Sequence, residues 1–173
     1  MAEELPHPDH FHISAAQGWL GLGNPAEALV ELDHIRAESQ ENVGVLELRF
    51  MASAQAKRFD EALTVAGRQI AAHPAEAQGW INRGNVLFWL ARYPEAHQSV
   101  VSVLDQFPDQ WTLRYNLACY CIKLERLAEA KEWYEDAAKT ADLAELSVLA
   151  LNDPDMVELK DWVRKRSLKK SAK

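Results

Sequence analysis

The side chains that could do chemistry are few, and their spacing does not assemble a reactive site. Three histidines, His7, His10 and His12, crowd the start of the chain, and neutral imidazoles are suitable ligands for Zn or Ni. They sit in a proline-containing stretch with no cysteine near them, and they read as a solvated leading segment. Cys119 and Cys121 stand two residues apart. On a helix that step turns the chain by about 200°, so the thiols point apart and cannot pair. No CxxC and no second cysteine pair completes a zinc site. The chain has no GxSxG, HExxH, GxxxxGK[ST] or GxGxxG stretch. Its many Asp and Glu residues have the spacing of solvated helix faces. The expectation is a protein with no catalytic residue, metal or cofactor, working by contact and not by reaction.

Composition limits what it can contact. The 173 residues are 48% hydrophobic and 26% charged, with seven Gly and seven Pro. That is a globular chain long enough for one continuous core. Ala, Leu and Glu outweigh the β-branched residues, which favours helix over strand. The net charge of −7 is unevenly spread. Residues 160–173 carry seven Lys/Arg against Asp161 alone, and the other 159 residues hold 12 bases and 25 acids. An acidic body excludes nucleic acid as the main partner, because phosphate binding needs a basic face. The basic tail reads as solvation and favourable charge at a helix C-terminus; contact with an acidic partner or membrane surface is the lesser reading. The first ten residues, MAEELPHPDH, lack the cationic and apolar regions of a secretory signal. No apolar run approaches the ~20 residues that span a bilayer. A cytoplasmic location is expected, with no membrane partner.

The elements reveal themselves through a period. Glu-Ala recurs at 27–28, 61–62, 95–96 and 129–130, always 34 residues on. Leu20, Ala54, Phe88 and Ile122 stand eight residues before that Ala; Leu32, Ala66, Val100 and Tyr134 stand four after it. Pro74 and Pro108 close the second and third units. The register divides the chain into repeats 9–42, 43–76, 77–110 and 111–144, each two helices long. Helices are expected near 9–22, 25–38, 43–56, 60–72, 77–90, 94–106, 111–124 and 127–140. Asn24-Pro25-Ala26-Glu27 has the form of a helix start, with Asn as cap, Pro at the first helical position and Glu three residues on.

The third repeat carries Trp80, Gly84, Leu87, Ala96, Val100 and Pro108, with Arg83 where a Leu is usual. This pattern resembles that of the tetratricopeptide-repeat (TPR) family. The second repeat offers Leu46, Phe50, Ala62, Ala66 and Pro74; the fourth offers Leu117, Ala118, Cys121, Ala130 and Tyr134. The first, with Ala15, Ala16, Trp19, Ala28 and Leu32, is the weakest match. The resemblance covers residues 9–144. It implies an all-α fold, a right-handed α-α superhelix or solenoid in a single domain, in which stacking buries what one repeat cannot bury alone. Leu143, Leu146, Leu149 and Ala150 form one apolar stripe, and Met156, Leu159, Trp162 and Val163 form another. Both suit a helical closure over 145–167, followed by the basic tail 168–173. The stretch Asn152-Asp153-Pro154-Asp155 resembles the closure of many bacterial TPR arrays.

The resemblance also implies where a ligand would lie: a concave groove lined by the first helix of each repeat. On this chain the stripes are His10, Ile13, Gln17, Leu20 and Gly21; Gly44, Glu47, Met51, Ala54 and Gln55; Gln78, Ile81, Asn85, Phe88 and Trp89; and Thr112, Tyr115, Cys119, Ile122 and Lys123. They are apolar and aromatic with neutral amides, and suit an extended segment or amphipathic helix with apolar anchors. At Phe88 and Ile122, burial between repeats competes with a place in the groove, whereas Tyr115, Asn85 and Trp89 are expected to be exposed. A TPR subgroup clamps a C-terminal carboxylate with Lys, Asn and Arg. Here Asn82, Asn85 and Asn116 stand at Asn-type positions, but Ile81 and Thr112 take Lys positions, so the donor fork is missing. The expectation is an adaptor that binds a protein or peptide segment. A secretion-type chaperone for one client and a self-associating scaffold in the form of a homodimer are the alternatives.

Overall fold

A computed structural model describes residues 7–171. The side chains of His7 and of the tail 168–173 lie outside what it describes. Among the described residues there are ten α-helices: α1 His7–Gly21, α2 Pro25–Asp33, α3 Val43–Gln55, α4 Phe59–Ala72, α5 Gln78–Trp89, α6 Tyr93–Val101, α7 Trp111–Lys123, α8 Leu127–Ala137, α9 Leu143–Asn152 and α10 Lys160–Ser171. Three 3-10 turns, Ala37–Ser39, Leu104–Gln106 and Pro154–Leu159, complete the elements. None of these helices is long and apolar enough to cross a membrane.

The fold is all-α and follows the 34-residue period. Within each helix pair the turn reverses through one residue in the left-handed region: Gly23 (φ 73), Lys57 (φ 57), Ala91 (φ 56) and Glu125 (φ 60). Only glycine takes that conformation without a Cβ penalty, and only the first turn has one. The amide after the reversal reaches back five residues, from Asn24 to Trp19 O (2.9 Å), Arg58 to Ser53 O (2.9 Å) and Arg126 to Cys121 O (2.8 Å). These bonds satisfy helix-end carbonyls. They also consume the Asn24 N–H, so Asn24 caps α2 by accepting from Glu27 N–H, while Glu27 has no amide to bond in return and the capping box is half made.

Two helices stop five residues earlier than the sequence suggests. α2 ends at Asp33, not 38, and α6 at Val101, not 106. Gln40 Nε2 donates to the carbonyls of Leu32 (3.0 Å) and Ile35 (2.7 Å), and Arg49 donates to Leu32 O at 2.9 Å. Side chains thus take over carbonyls that a continuing helix would have used. In α6 the Ser102 hydroxyl donates to Ser99 O at 2.8 Å, and Val103 leaves helical geometry at φ −124.

Two compact units result, the first ending at Leu90 and the second beginning at Ala91. In the first, α3 is apolar on two sides. Val45, Leu48 and Ala52 join Ala16, Ala28, Leu29, Leu32 and Ile35, while Leu46 and Phe50 join Ala62, Val65, Ala66 and Val86. A helix buried on both flanks is what a stacked repeat requires. In the second unit, Leu113, Leu117, Tyr120 and Cys121 of α7 and Ala130, Tyr134 and Ala137 of α8 are buried, as are Leu146, Ala150, Met156, Leu159 and Val163 of the closing segment. Arg166 belongs to the basic stretch yet is only 8% exposed. It donates to both Glu135 oxygens at 2.5 and 2.7 Å and covers the Tyr134 ring, so part of that charge fastens α10 to α8.

Candidate functional site

The open face of the first unit lies along α1, α3 and α5. Gln17, Leu20 and Gly21 of α1, Leu48, Phe50, Met51, Ala54 and Gln55 of α3 and Trp89 of α5 line a depression of about 700 Å³. Its positions follow from helix geometry, since steps of three and four keep Gln17, Leu20 and Gly21 on one face, and likewise Met51, Ala54 and Gln55. Leu48 and Phe50 are anchored in the two cores and form a floor that cannot shift freely. Met51 is 47% exposed and Trp89 46%; the Trp89 ring leans on Phe59 with centroids 5.6 Å apart. Among the lining side chains, polar groups come from the amides of Gln17 and Gln55 and the indole of Trp89. With no charge in the lining, the surface offers apolar area and two neutral donor-acceptor groups.

Other stripe residues of this unit have different places. Ile81 is buried, and Asn85 and Phe88 are half-buried on α5. Ile13 packs on the first core, while His10, Gly44 and Gln78 are exposed. Glu47 belongs to a polar knot: its Oε2 accepts from Gln69 Nε2 (2.9 Å) and Asn82 Nδ2 (3.2 Å). Asn82 in turn bonds Gln69 Oε1 and Gln78 Nε2, each at 2.9 Å. Asn82 is only 3% exposed. Buried amides must be satisfied, and this knot holds α3, α4 and α5 together, so Glu47 and Asn82 are structural.

In the second unit the stripe is covered by the chain itself. Tyr115, Cys119 and Ile122 are 4–6% exposed, against the expectation of an exposed Tyr115. The cause is the turn Pro154–Leu159, which packs on α7. Tyr115 OH donates to Asp153 Oδ2 at 2.6 Å, and Lys123 Nζ pairs with Asp155 Oδ1 at 2.9 Å. Asp153 Oδ1 meanwhile caps the turn by accepting from Asp155 N at 2.8 Å. Burial first, and then the neighbouring charges, hold the Tyr115 phenol protonated far above its usual range. Burial and the Asp153 and Asp155 carboxylates likewise raise Cys119, and burial with Glu129 pushes Cys121 up to about 12. Both thiols are therefore poor nucleophiles near neutrality.

Among the described residues, metal-ligating side chains converge at two places, His97, Cys121 and Glu129 in the second unit and His12, Glu31 and His34 in the first. Sequence reasoning missed both, because each cluster joins side chains of different helices that lie as much as 22 residues apart in the first and 32 in the second. His12 in fact turns away from its sequence neighbours toward α2.

No protein-family model matches the sequence, and no curated protein matches it. Among solved structures, MamA from Desulfovibrio magneticus is similar over 97% of this chain and 98% of its own, at 18% identity and a TM-score of 0.69. PilF of Pseudomonas aeruginosa matches over 91% of this chain and 69% of its own, at 20% identity and a TM-score of 0.70. A thermophilic TPR protein of Thermus thermophilus matches over 83% and 79%, at 23% identity and a TM-score of 0.68. Likeness at these identities is one of fold.

Proposed function

Since the chain has the tetratricopeptide-repeat fold, we propose that it is a non-catalytic adaptor that binds a partner protein, holding an apolar segment against the α1–α3–α5 depression. The segment is an amphipathic helix or an extended stretch with apolar anchors. The observation that carries this reading is the half-exposure of Met51 and Trp89 over the fixed floor of Leu48 and Phe50. Covering the exposed half of each of those two side chains would contribute roughly 1 kcal/mol apiece. Gln17 and Gln55 would supply the polar contacts that set register, with Asn85 and Phe88 flanking Trp89. Tyr115, Cys119 and Ile122 are left out of this contact surface, and so are Glu47 and Ile81.

The test is a photo-cross-linking amino acid placed at Gln55 in the native host, with a second placed at Glu132 on α8 as control. The expected result is one discrete adduct from position 55 that is absent from position 132 and is lost on Met51→Glu or Trp89→Ala, with melting unchanged. An adduct that survives both substitutions would move binding off this face. An adduct of twice the chain mass would replace the adaptor with self-association.

A further inference from the structure

His12, Glu31 and His34 form a cluster that the groove reading leaves unused. His12 of α1 faces α2, with Nδ1 2.9 Å from Glu31 Oε2. Glu31 and His34 are three residues apart, so helix geometry sets them on one side of α2 and its C-terminal cap. The His34 ring stacks on His12 with centroids 5.2 Å apart and planes 19° from parallel. One donor atom of each residue lies within 4.8 Å of the other two. A single point therefore exists within about 2.8 Å of all three donors, and zinc bonds to His and Glu are ~2.0–2.2 Å long, so the distances close with shifts below an ångström once the stacked rings turn to aim both lone pairs at that point. His12 and Glu31 are 32% and 28% exposed and His34 is exposed, so a hydrated ion can reach the donors and keep a water as fourth ligand.

We propose that His12, Glu31 and His34 constitute a binding site for a divalent transition-metal ion, with Zn²⁺ as the representative. Two imidazoles and one carboxylate are borderline donors; Mg²⁺ and Ca²⁺ favour all-oxygen sets. The ion ties the middle of α1 to the end of α2, adding a cross-link to the repeat with the weakest sequence pattern. The other cluster is a poorer candidate. There the ion must displace a proton from the Cys121 thiol, which is fully buried, whereas all three members of the first cluster are open to solvent.

The experiment uses untagged full-length protein stripped with EDTA and titrated with zinc chloride by calorimetry. One Zn²⁺ per chain is expected, with Kd on the order of 10 µM or tighter. At about a hundredfold excess over Kd, zinc should raise the melting temperature by about 5–10 °C. His34→Gln and Glu31→Gln should each weaken binding by about tenfold or more and abolish that rise, while their metal-free melting stays near wild type; His10→Gln should change neither readout. Absence of zinc binding in the wild type, or undiminished binding in His34→Gln, overturns the site. Cobalt substitution adds a further check. A spectrum without a thiolate charge-transfer band agrees with His12, Glu31 and His34, and a strong band would assign the ion to Cys121 instead.

Discussion

Removing the Tyr115 hydroxyl tests how the closing segment is held on the fourth repeat. Tyr115→Phe deletes one oxygen from a side chain that is 4% exposed and leaves the ring packing intact, so the loss reports the bond to Asp153 Oδ2 at 2.6 Å. A hydrogen bond to a charged acceptor is worth about 1.5–3 kcal/mol. Asp153 keeps its second oxygen on Asp155 N–H and is half-buried, so water offsets part of the loss. The net cost should be about 1–2 kcal/mol, or about 2–8 °C in melting temperature for a chain of this size. Urea unfolding followed by far-UV circular dichroism gives the free energy. A double-mutant cycle with Asp153→Asn isolates the pair and should yield a coupling near 1 kcal/mol. Exchange of the Asp155 amide should quicken, because its cap is loosened, while cross-linking at Gln55 stays unchanged. A coupling indistinguishable from zero would mean that the turn Pro154–Leu159 is not fastened through this bond, and the account of why α7 is covered would fail.

Three further perturbations probe other parts of the fold. At Gly79 an added Cβ would stand 3.0 Å from Ile70 N and Cγ1 and 3.1 Å from Gln69 Cβ. Gly79→Ala should therefore destabilise by about 1 kcal/mol or more, despite Ala's better helix propensity, and an unchanged urea midpoint would contradict that contact. Ala91→Gly relieves a left-handed residue at φ 56; relief of about 1–2 kcal/mol against an entropic cost of about 0.4–1 kcal/mol leaves a gain of about 0.5 kcal/mol, and a loss in thermal unfolding would refute it. The Asp9 carboxyl is lowered from 3.8 chiefly by the Ser39 hydroxyl, with burial opposing and Arg36 assisting. Its folded value is depressed, so the stability it contributes is present above 3.8 and lost as pH falls through the folded value. Asp9→Asn should accordingly shrink the stability difference between about pH 6 and pH 2.5, and identical acid curves for variant and wild type would count against it.

How much of this was legible depends on the kind of signal. The 34-residue period fixed helix pairing because each Glu-Ala column marks the start of a second helix, where a small Ala must meet the partner helix. Ala28, Ala62, Ala96 and Ala130 are indeed all fully buried. Helix ends were less legible: α2 stops at Asp33 because Gln40 and Arg49, beyond the helix end, take carbonyls there. The left-handed turns at Lys57, Ala91 and Glu125 left no glycine to read. In the candidate site, Gln17, Met51, Gln55 and Trp89 were visible as matching positions on the first helices of their repeats, while Phe50 was read only as part of the second repeat's pattern. The His12, Glu31 and His34 cluster was invisible, since nothing in the sequence says which turn of α2 meets which turn of α1.

The burial of Tyr115, Cys119 and Ile122 bears directly on where a ligand can sit. These residues occupy the same repeat positions as Ile81, Asn85 and Phe88, or Glu47, Met51 and Ala54, so sequence alone gives them equal standing. What separates them is the supply of a covering segment. Residues 153–159 bring a capped turn with the Asp153 and Asp155 carboxylates and the buried Met156 and Leu159, and α7 answers with Tyr115 and Lys123. That face is satisfied within its own unit, and an external ligand would have to displace about 1–2 kcal/mol of charged hydrogen bond along with the buried apolar contacts. Met51, Gln55 and Trp89 sit over a depression that no part of their own unit fills. A ligand there gains apolar contact without breaking any of the bonds that close α7, which is why the binding reading rests on the first unit and why substitutions at Tyr115 should cost stability before they cost binding.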